Sequence, residues 1–165
     1  VKARDLLKAA LIQSTNDAAE ALAYSAGEKE FVALMNRKAK ELGMANTIFY
    51  DACGMNPQNK STPADLAKLV SYVYQSHPEI LAITKNNDFW LEDKSGARMK
   101  FQNMNGFYPL AAFVGGKTGY LPEARQTIAG AFEVNQRPVA IAVLYSTNCQ
   151  ADVFRILEKL RSQNQ

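Results

Sequence analysis

The 165-residue chain is poor in the residues on which most metal and histidine chemistry depends: it holds one histidine, His77, and two cysteines, Cys53 and Cys149. His77 stands just before Pro78, at a predicted helix end, which gives it a surface or capping role. A single histidine excludes a His-rich metal site, and with that histidine read as a surface or capping residue none is left elsewhere for a Ser-His-Asp or Cys-His mechanism. The cysteines form no C-x-x-C and have no neighbouring histidine, so no zinc site is read. Unpaired thiols are the expectation, with a Cys53–Cys149 disulfide as the alternative. No apolar run approaches the roughly eighteen residues of a membrane span, and no signal-peptide pattern opens the chain. Charge of neither sign clusters. The net of +3 is spread along the sequence, so no nucleic-acid-binding face is expected. There is no methionine at the start, and a helical pattern begins at once, so Val1 is not expected to be a natural start.

What remains is an ordinary globular composition, 47% hydrophobic and 21% charged, of a length that fits one domain. Its first half has helical periodicity. Leu6, Leu7, Ala10 and Leu11 make one apolar face, which breaks at Ser14-Thr15-Asn16. Ala18, Ala19, Leu22 and Ala23 predict a second helix ending near Gly27. Phe31, Leu34, Met35, Ala39 and Leu42 predict a third that stops at Gly43. Residues 44–61 are rich in Asn, Asp, Gly and Pro and predict an ordered loop. Ser61-Thr62-Pro63-Ala64-Asp65 is a helix start, a hydroxyl cap followed by proline in the first turn. That helix reaches about Gln75, and a short one follows from Pro78 to about Thr84.

The second half alternates instead. Residues 88–93 and 97–103 flank Lys94-Ser95-Gly96, a hairpin signal. Strands are predicted over Phe113–Tyr120, Arg125–Val134 and Val139–Ser146, with a tight turn at Asn135–Pro138 between the last two. A closing amphipathic helix runs from Ala151 to Leu160. Helices, then an antiparallel meander, then a helix predict an α+β fold. Trp90, Phe101, Phe107 and Tyr108 are read as core and hairpin packing, and the five methionines as core filler.

Two short motifs carry chemistry. Ser14-Thr15-Asn16 falls at a helix-to-helix break, and Lys117-Thr118-Gly119 on a Gly-rich strand. Each alone is weak: Ser14 or Asn16 would serve equally as a helix cap, and Lys-Thr-Gly as a strand that ends at a turn. Together they match two parts of the S-x-x-K, S-D-N and K-T-G set of class A β-lactamases and penicillin-binding proteins, with Thr15 in place of the Asp. They occur in the right order, about a hundred residues apart.

The surrounding residues resemble one family, the low-molecular-mass penicillin-binding D-alanyl-D-alanine carboxypeptidases, which are serine peptidases. The likeness runs from residue 1 to about 160. It includes residues 1–7 leading into Ser14-Thr15-Asn16-Asp17-Ala18-Ala19, residues 31–36, the stretch from Lys40 to Thr47, Phe49 to Gly54, the helix start at Ser61, and Gly115 to Tyr120. It implies a β-lactamase/transpeptidase-like α+β domain with helices packed on an antiparallel sheet. Residues 1–165 would form one partial domain, helical over about 1–86, with the sheet and C-terminal helix over about 87–162.

The chemistry implied is an acyl-enzyme route, in which a serine attacks the carbonyl between two D-alanines and water then hydrolyses the ester. By resemblance, Ser14 relays a proton toward the leaving amine. Asn16 holds the S-x-x-K lysine and a substrate carbonyl, and Lys117 brings positive charge to the substrate carboxylate and to Ser14. Thr118 donates its hydroxyl to that carboxylate, and Gly119 lets the strand approach the substrate. A backbone N–H near Tyr120 or Leu121 serves the oxyanion hole. Gly115 and Gly116 fit the same need for close approach, or a packing need. The implied partners are a peptidoglycan stem peptide ending in D-Ala-D-Ala and β-lactam antibiotics. The implied location is periplasmic or otherwise extracytoplasmic, with any membrane attachment through a region not in this chain. No metal or organic cofactor is implied.

The chain departs from the family in one large respect. None of its serines, at 14, 25, 61, 71, 76, 95, 146 and 162, has a lysine three positions on. In the family the nucleophile lies several tens of residues before the position of Ser14, which here would precede Val1, as would the first strands and the nucleophile helix. The chain is therefore expected to be an N-terminally truncated piece and inactive alone. A separate N-terminal chain and a non-catalytic, ligand-holding pseudo-enzyme are the alternatives. Loss of the first strands would leave Val139–Ser146 as an open edge, from which a homodimer or strand exchange is expected. A smaller departure is at Tyr145-Ser146-Thr147-Asn148, where many relatives carry an arginine; Arg125 and Arg137 are candidates to compensate or simply solvated charges. A class A β-lactamase would need a glutamate near residues 45–60, where the sequence offers only Asp51.

Overall fold

The computed structural model describes residues 1–92 and 95–163. Lys94 of the predicted hairpin signal lies outside them. Helix α1 (Ala3–Lys8) runs on into a wider π-helical turn over Ala9–Gln13 and breaks at Ser14. α2 (Asn16–Ser25) and α3 (Glu28–Glu41) follow, with Gly27 taking the left-handed turn between them at φ 82°. α3 has Glu28 and Glu30 in its first turn and Lys38 and Lys40 in its last, which complements the helix dipole. It ends where the sequence predicts. Gly43 is left-handed, and the Met44 N–H donates back to the Ala39 carbonyl at 2.9 Å.

α4 (Pro63–Ser76) starts on the Thr62 hydroxyl, which accepts from the Asp65 N–H at 3.2 Å. His77 joins α4 to α5 (Pro78–Thr84), with its Nε2 3.1 Å from the Tyr72 hydroxyl. The loop before α4 is ordered because buried polar groups hold it. The Asp65 side chain, 2% exposed, accepts from the Asn46 N–H at 2.8 Å, the Thr47 hydroxyl at 3.0 Å and the Lys68 ammonium at 3.1 Å. From α3, Asn36 grips the backbone of Phe49 at both ends, donating to its carbonyl and accepting from its N–H, each at 2.8 Å.

Among the described residues the strands form two separate sheets. β1 (Asp88–Glu92) and β2 (Arg98–Gln102) make an antiparallel hairpin of their own. β3 (Phe113–Leu121), β4 (Arg125–Val134) and β5 (Arg137–Ser146) make an antiparallel meander in that order. The last strand begins two residues earlier than the sequence predicts, so Pro138 lies inside it, opposite Glu133. The turn is only Asn135-Gln136, both at positive φ, a two-residue hairpin. Its closing pair, Val134 and Arg137, uses the inward hydrogen-bonding positions. The nitrogen of Pro138 then faces the outer edge of β5, where a missing N–H costs no ladder bond. Likewise α6 (Cys149–Ser162) begins before the predicted Ala151, because the Asn148 side chain caps it by accepting from the Ala151 N–H at 3.0 Å.

Helices cover both faces of the three-stranded sheet. On one face, Val153 and Leu157 of α6 pack with Phe113, Ile128, Phe132 and Ile141. On the other, Val70 of α4 and Leu81 of α5 pack on Ala131. The fold is thus α+β with helices on an antiparallel sheet, as the patterning predicts. Phe107 joins the core and Phe101 stacks on Phe89 with ring centroids 4.8 Å apart, but Trp90 is 52% exposed. The core-filler reading holds for Met44 and fails for Met55, Met99 and Met104, which are exposed. Met99 belongs to the separate two-stranded hairpin.

Two outcomes follow from this packing. Phe132→Ala removes a side chain with no exposure and is expected to cost about 3–5 kcal/mol in urea unfolding, whereas Phe154→Ala on the outer side of α6 should change stability by less than about 1 kcal/mol. The second concerns Asp65. Burial opposes its ionisation, but the Asn46 N–H, the Lys68 ammonium and the Thr47 hydroxyl outweigh burial and hold the carboxyl below its ordinary value. A depressed carboxyl stabilises the fold above the unfolded Asp value of about 3.9, and that stabilisation disappears as pH falls through the folded value. Asp65→Asn should therefore flatten the acid loss of stability below about pH 4. Unchanged acid sensitivity would mean that Asp65 does not anchor the loop.

Candidate active site

Ser14 is placed by the turn that ends the first helix. The Thr15 N–H and hydroxyl both donate to the Ala9 carbonyl, at 3.3 and 3.2 Å, and close the wide turn. The Ile12 carbonyl accepts from the Met104 N–H at 3.0 Å, and the Gln13 side chain accepts from the Gln102 N–H at 3.2 Å, which ties the turn to β2 and the segment after it. Ser14 itself is left-handed, at φ 59° and ψ 40°, a conformation that residues with a Cβ seldom adopt. The helix-cap reading of Ser14 and Asn16 fails. Thr15 is the N-cap of α2 and makes no side-chain cap bond, and Asn16 is the first residue of the helix. Both Ser14 and Asn16 line an open cleft of about 590 Å³.

The opposite wall is β3. A Cβ at Gly115 would lie 2.6 Å from Leu81 Cα, and one at Gly116 would lie 2.5 Å from the Ala129 carbonyl oxygen. Packing against α5 and β4 therefore accounts for both glycines. Gly116 also has its outward backbone groups taken by buried side chains. Its N–H donates to the Thr84 hydroxyl at 2.8 Å, and its carbonyl accepts from the Asn105 amide at 3.0 Å. Thr84 in turn donates to the Leu81 carbonyl at 2.7 Å, and Asn105 accepts from the Phe107 N–H at 3.0 Å. This clamp fixes the strand one residue before Lys117. Sequence reading missed it, since a threonine at a helix end and an asparagine in a loop carry no pattern that links them.

From there Lys117 reaches across the cleft. Its ammonium donates to Ser14 Oγ at 2.6 Å and to the Thr118 carbonyl at 2.5 Å. Half-burial pushes its pKa down to about 8. No carboxylate forms an ion pair with it among the described residues. The two sequence motifs, 103 positions apart, thus meet through one hydrogen bond. Thr118, Gly119 and Tyr120 continue the same wall. By alternation from Gly116, the backbone groups of Thr118 and Tyr120 face away from β4, along an edge suited to an extended peptide. Tyr120 is 69% exposed. A Cβ at Gly119 would come 2.9 Å from the Thr127 hydroxyl, so this glycine has a packing reason as well.

The remaining wall comes from the loop before α4. Asp51 accepts from the Gly54 N–H at 2.7 Å, the Asn56 N–H at 2.5 Å and the Asn59 amide at 2.8 Å. Burial raises its pKa, but these donors together hold it below its usual value. Its carboxylate is committed to the loop, which leaves the β-lactamase reading without a base for water. Cys53 donates to Glu20 at 3.3 Å, and burial pushes its thiol up to about 11. Cys53 and Cys149 are both free thiols. Arg125 lines the cleft with its guanidinium 4.4 Å from the centre of the Tyr145 ring, whereas Arg137 is exposed at the β4–β5 turn.

Comparison with known proteins places the chain among related sequences and structures. The sequence profile of the D-alanyl-D-alanine carboxypeptidase family matches residues 1–148. A curated relative, D-alanyl-D-alanine carboxypeptidase DacF of Bacillus subtilis, is 32% identical over 97% of this chain and 43% of its own length. The crystal structure of the Streptomyces K15 DD-transpeptidase superposes with a TM-score of 0.88 at 29% identity, covering 98% of this chain and 68% of that one. Penicillin-binding protein D2 of Listeria monocytogenes, in a cefotaxime-bound form, gives 0.81 at 31% identity, covering 98% and 66%. The chain spans about half the length of the curated relatives that it matches over most of its own residues.

The electrostatics of the cleft can be checked directly. The Lys117 ammonium is expected to titrate near pH 8 in lysine-selective NMR, against about 10.4 for ordinary lysines. Titration of Lys117 together with the others would mean that the cleft does not desolvate it.

Proposed function

Since the chain belongs to the D-alanyl-D-alanine carboxypeptidase family, we propose that it supplies the proton-relay and substrate-edge half of a serine-type active site. That site removes the terminal D-alanine from peptidoglycan stem peptides and is acylated by penicillins. The reading is carried by one observation, the 2.6 Å contact between Lys117 and Ser14, with no carboxylate paired to the lysine among the described residues.

The nucleophile in this reading is an S-x-x-K serine contributed by residues outside the 165. Its oxygen attacks the carbonyl between the two D-alanines, and the negative charge that develops on the carbonyl oxygen is met by the Tyr120 N–H on the open edge of β3. The departing amine must gain a proton. Ser14 gives it one and is resupplied by Lys117, whose pKa near 8 suits transfer in either direction at neutral pH. Lys117 and the Thr118 hydroxyl hold the substrate carboxylate. Asn16, whose side chain is not spent on capping α2, orients the S-x-x-K lysine and a substrate carbonyl. Water then hydrolyses the ester. In the same reading the site works outside the cytoplasmic membrane, and the 165 residues alone cleave no D-Ala-D-Ala peptide. The outer edge of β5, which pairs only with β4 among the described residues, drives self-association of the chain.

Incubation with penicillin followed by intact-mass measurement tests the reading. The 165-residue chain is expected to stay unmodified, and a chain extended upstream to include an S-x-x-K to gain one penicilloyl group. In that longer chain, Ser14→Ala or Lys117→Met should slow acylation by about 10²–10⁴-fold. Unchanged acylation in both variants would remove the proposed relay. For the β5 edge, light scattering of the 165-residue chain should show a concentration-dependent dimer; a monomer at high concentration would contradict it.

A further inference from the structure

We propose that Ser14 is itself a nucleophile in this chain, with Lys117 as its base, and that it accepts acyl or phosphonyl groups from small activated donors. The inference uses two residues of the reading above but gives Ser14 a different role, and it requires no S-x-x-K.

Three observations converge on this serine. First, its Oγ lies 2.6 Å from the Lys117 nitrogen, within range for direct proton transfer, and among the described residues the lysine's other hydrogen bond goes to the Thr118 carbonyl. A serine is a weak nucleophile until a base is positioned on its hydroxyl. Second, Ser14 is exposed and left-handed, on the sharp turn between the π-helical segment and α2. The two Thr15 bonds to the Ala9 carbonyl maintain that conformation. A serine presented on a strained turn at the mouth of a site is a recurring hydrolase arrangement. Third, the cleft beside it offers an apolar wall for a short acyl chain, from Leu11, Ala19, Met35 and Phe49. The depressed pKa of Lys117 supports the same role, because about half of the amine is neutral at pH 8.

The step balances without a further reactant. With a fluorophosphonate, the Ser14 Oγ–P bond forms as the P–F bond breaks, the hydroxyl proton passes to Lys117 and fluoride leaves. With a nitrophenyl ester, the Oγ–C bond forms, nitrophenolate leaves and water later cleaves the ester. These leaving groups depart without being protonated and place little demand on an oxyanion hole. A peptide amide needs both, which restricts this activity to activated donors.

The test treats the 165-residue chain with an alkyl fluorophosphonate. The expected result is a mass increase of one phosphonyl group, mapped to Ser14, with a rate that rises through about pH 8. Ser14→Ala should abolish the adduct, and Ser71→Ala on the outside of α4 should leave it unchanged. Lys117→Arg keeps a cation in place but no usable base, because arginine stays protonated. It should label at least about tenfold more slowly than the parent chain. Circular dichroism of each variant establishes that it is folded. No adduct on the folded parent chain, an adduct at another residue, or a Ser14 rate unchanged in Lys117→Arg would each overturn the proposal. Those results leave the penicillin experiment unaffected, since that one depends on a serine outside these residues.

Discussion

The hydrogen bond from Lys117 to Ser14 is the constraint around which the site is organised. A lysine ammonium that has lost part of its water and gains no carboxylate is costly to keep charged. Here its partners among the described residues are the Ser14 hydroxyl and the Thr118 carbonyl. Such a group is held between its two protonation states near neutrality, which a salt-bridged lysine is not. The neighbouring structure maintains this balance. β3 is fixed by the Thr84 and Asn105 side chains on Gly116, and the serine turn is fixed by Thr15 and by its ties to β2 and the segment after it.

The rest of the fold acts as support for these two walls. Helices on both faces of the three-stranded sheet keep β3 in register. Gly115 and Gly116 admit α5 and β4 closely enough for the Thr84 clamp to reach. The loop before α4 closes a third side, and its polar residues are occupied in holding its own shape. Asp65 and Asn36 tie its first part to α4 and α3, while Asp51 gathers donors from its second part. That division explains how one loop can hold two cleft-side acids or thiols, Asp51 and Cys53, without either competing for Lys117.

Much of this was legible in the sequence, for physical reasons. Amphipathic spacing and turn residues fixed the number and order of helices and strands, since burial of one face is what selects them. The two motifs and the residues around them pointed to one family, and the structure brings Ser14 and Lys117 together. What could not be read depends on contacts between distant residues or on backbone conformation. Thr84 and Asn105 act on a strand 11 to 32 positions away. The π-helical turn and the left-handed Ser14 leave no compositional trace. Pro138 was read as part of the turn, because the direction of its nitrogen depends on the hairpin register. Asn148 was passed over as a cap because apolar periodicity begins only after it. Gly119 was assigned to substrate approach, while its contact with Thr127 is visible only once β4 is in place.

The claim that this cleft binds a peptide ending in D-alanine along the edge of β3 is tested most directly by heteronuclear NMR. The 165-residue chain would be titrated with an acylated peptide ending in D-Ala-D-Ala. The account predicts saturable shifts of the Thr118, Gly119 and Tyr120 amides and of the Lys117 ammonium, weaker for the same peptide ending in L-Ala-L-Ala. Shifts confined to another surface, or equal for both peptides, would contradict it.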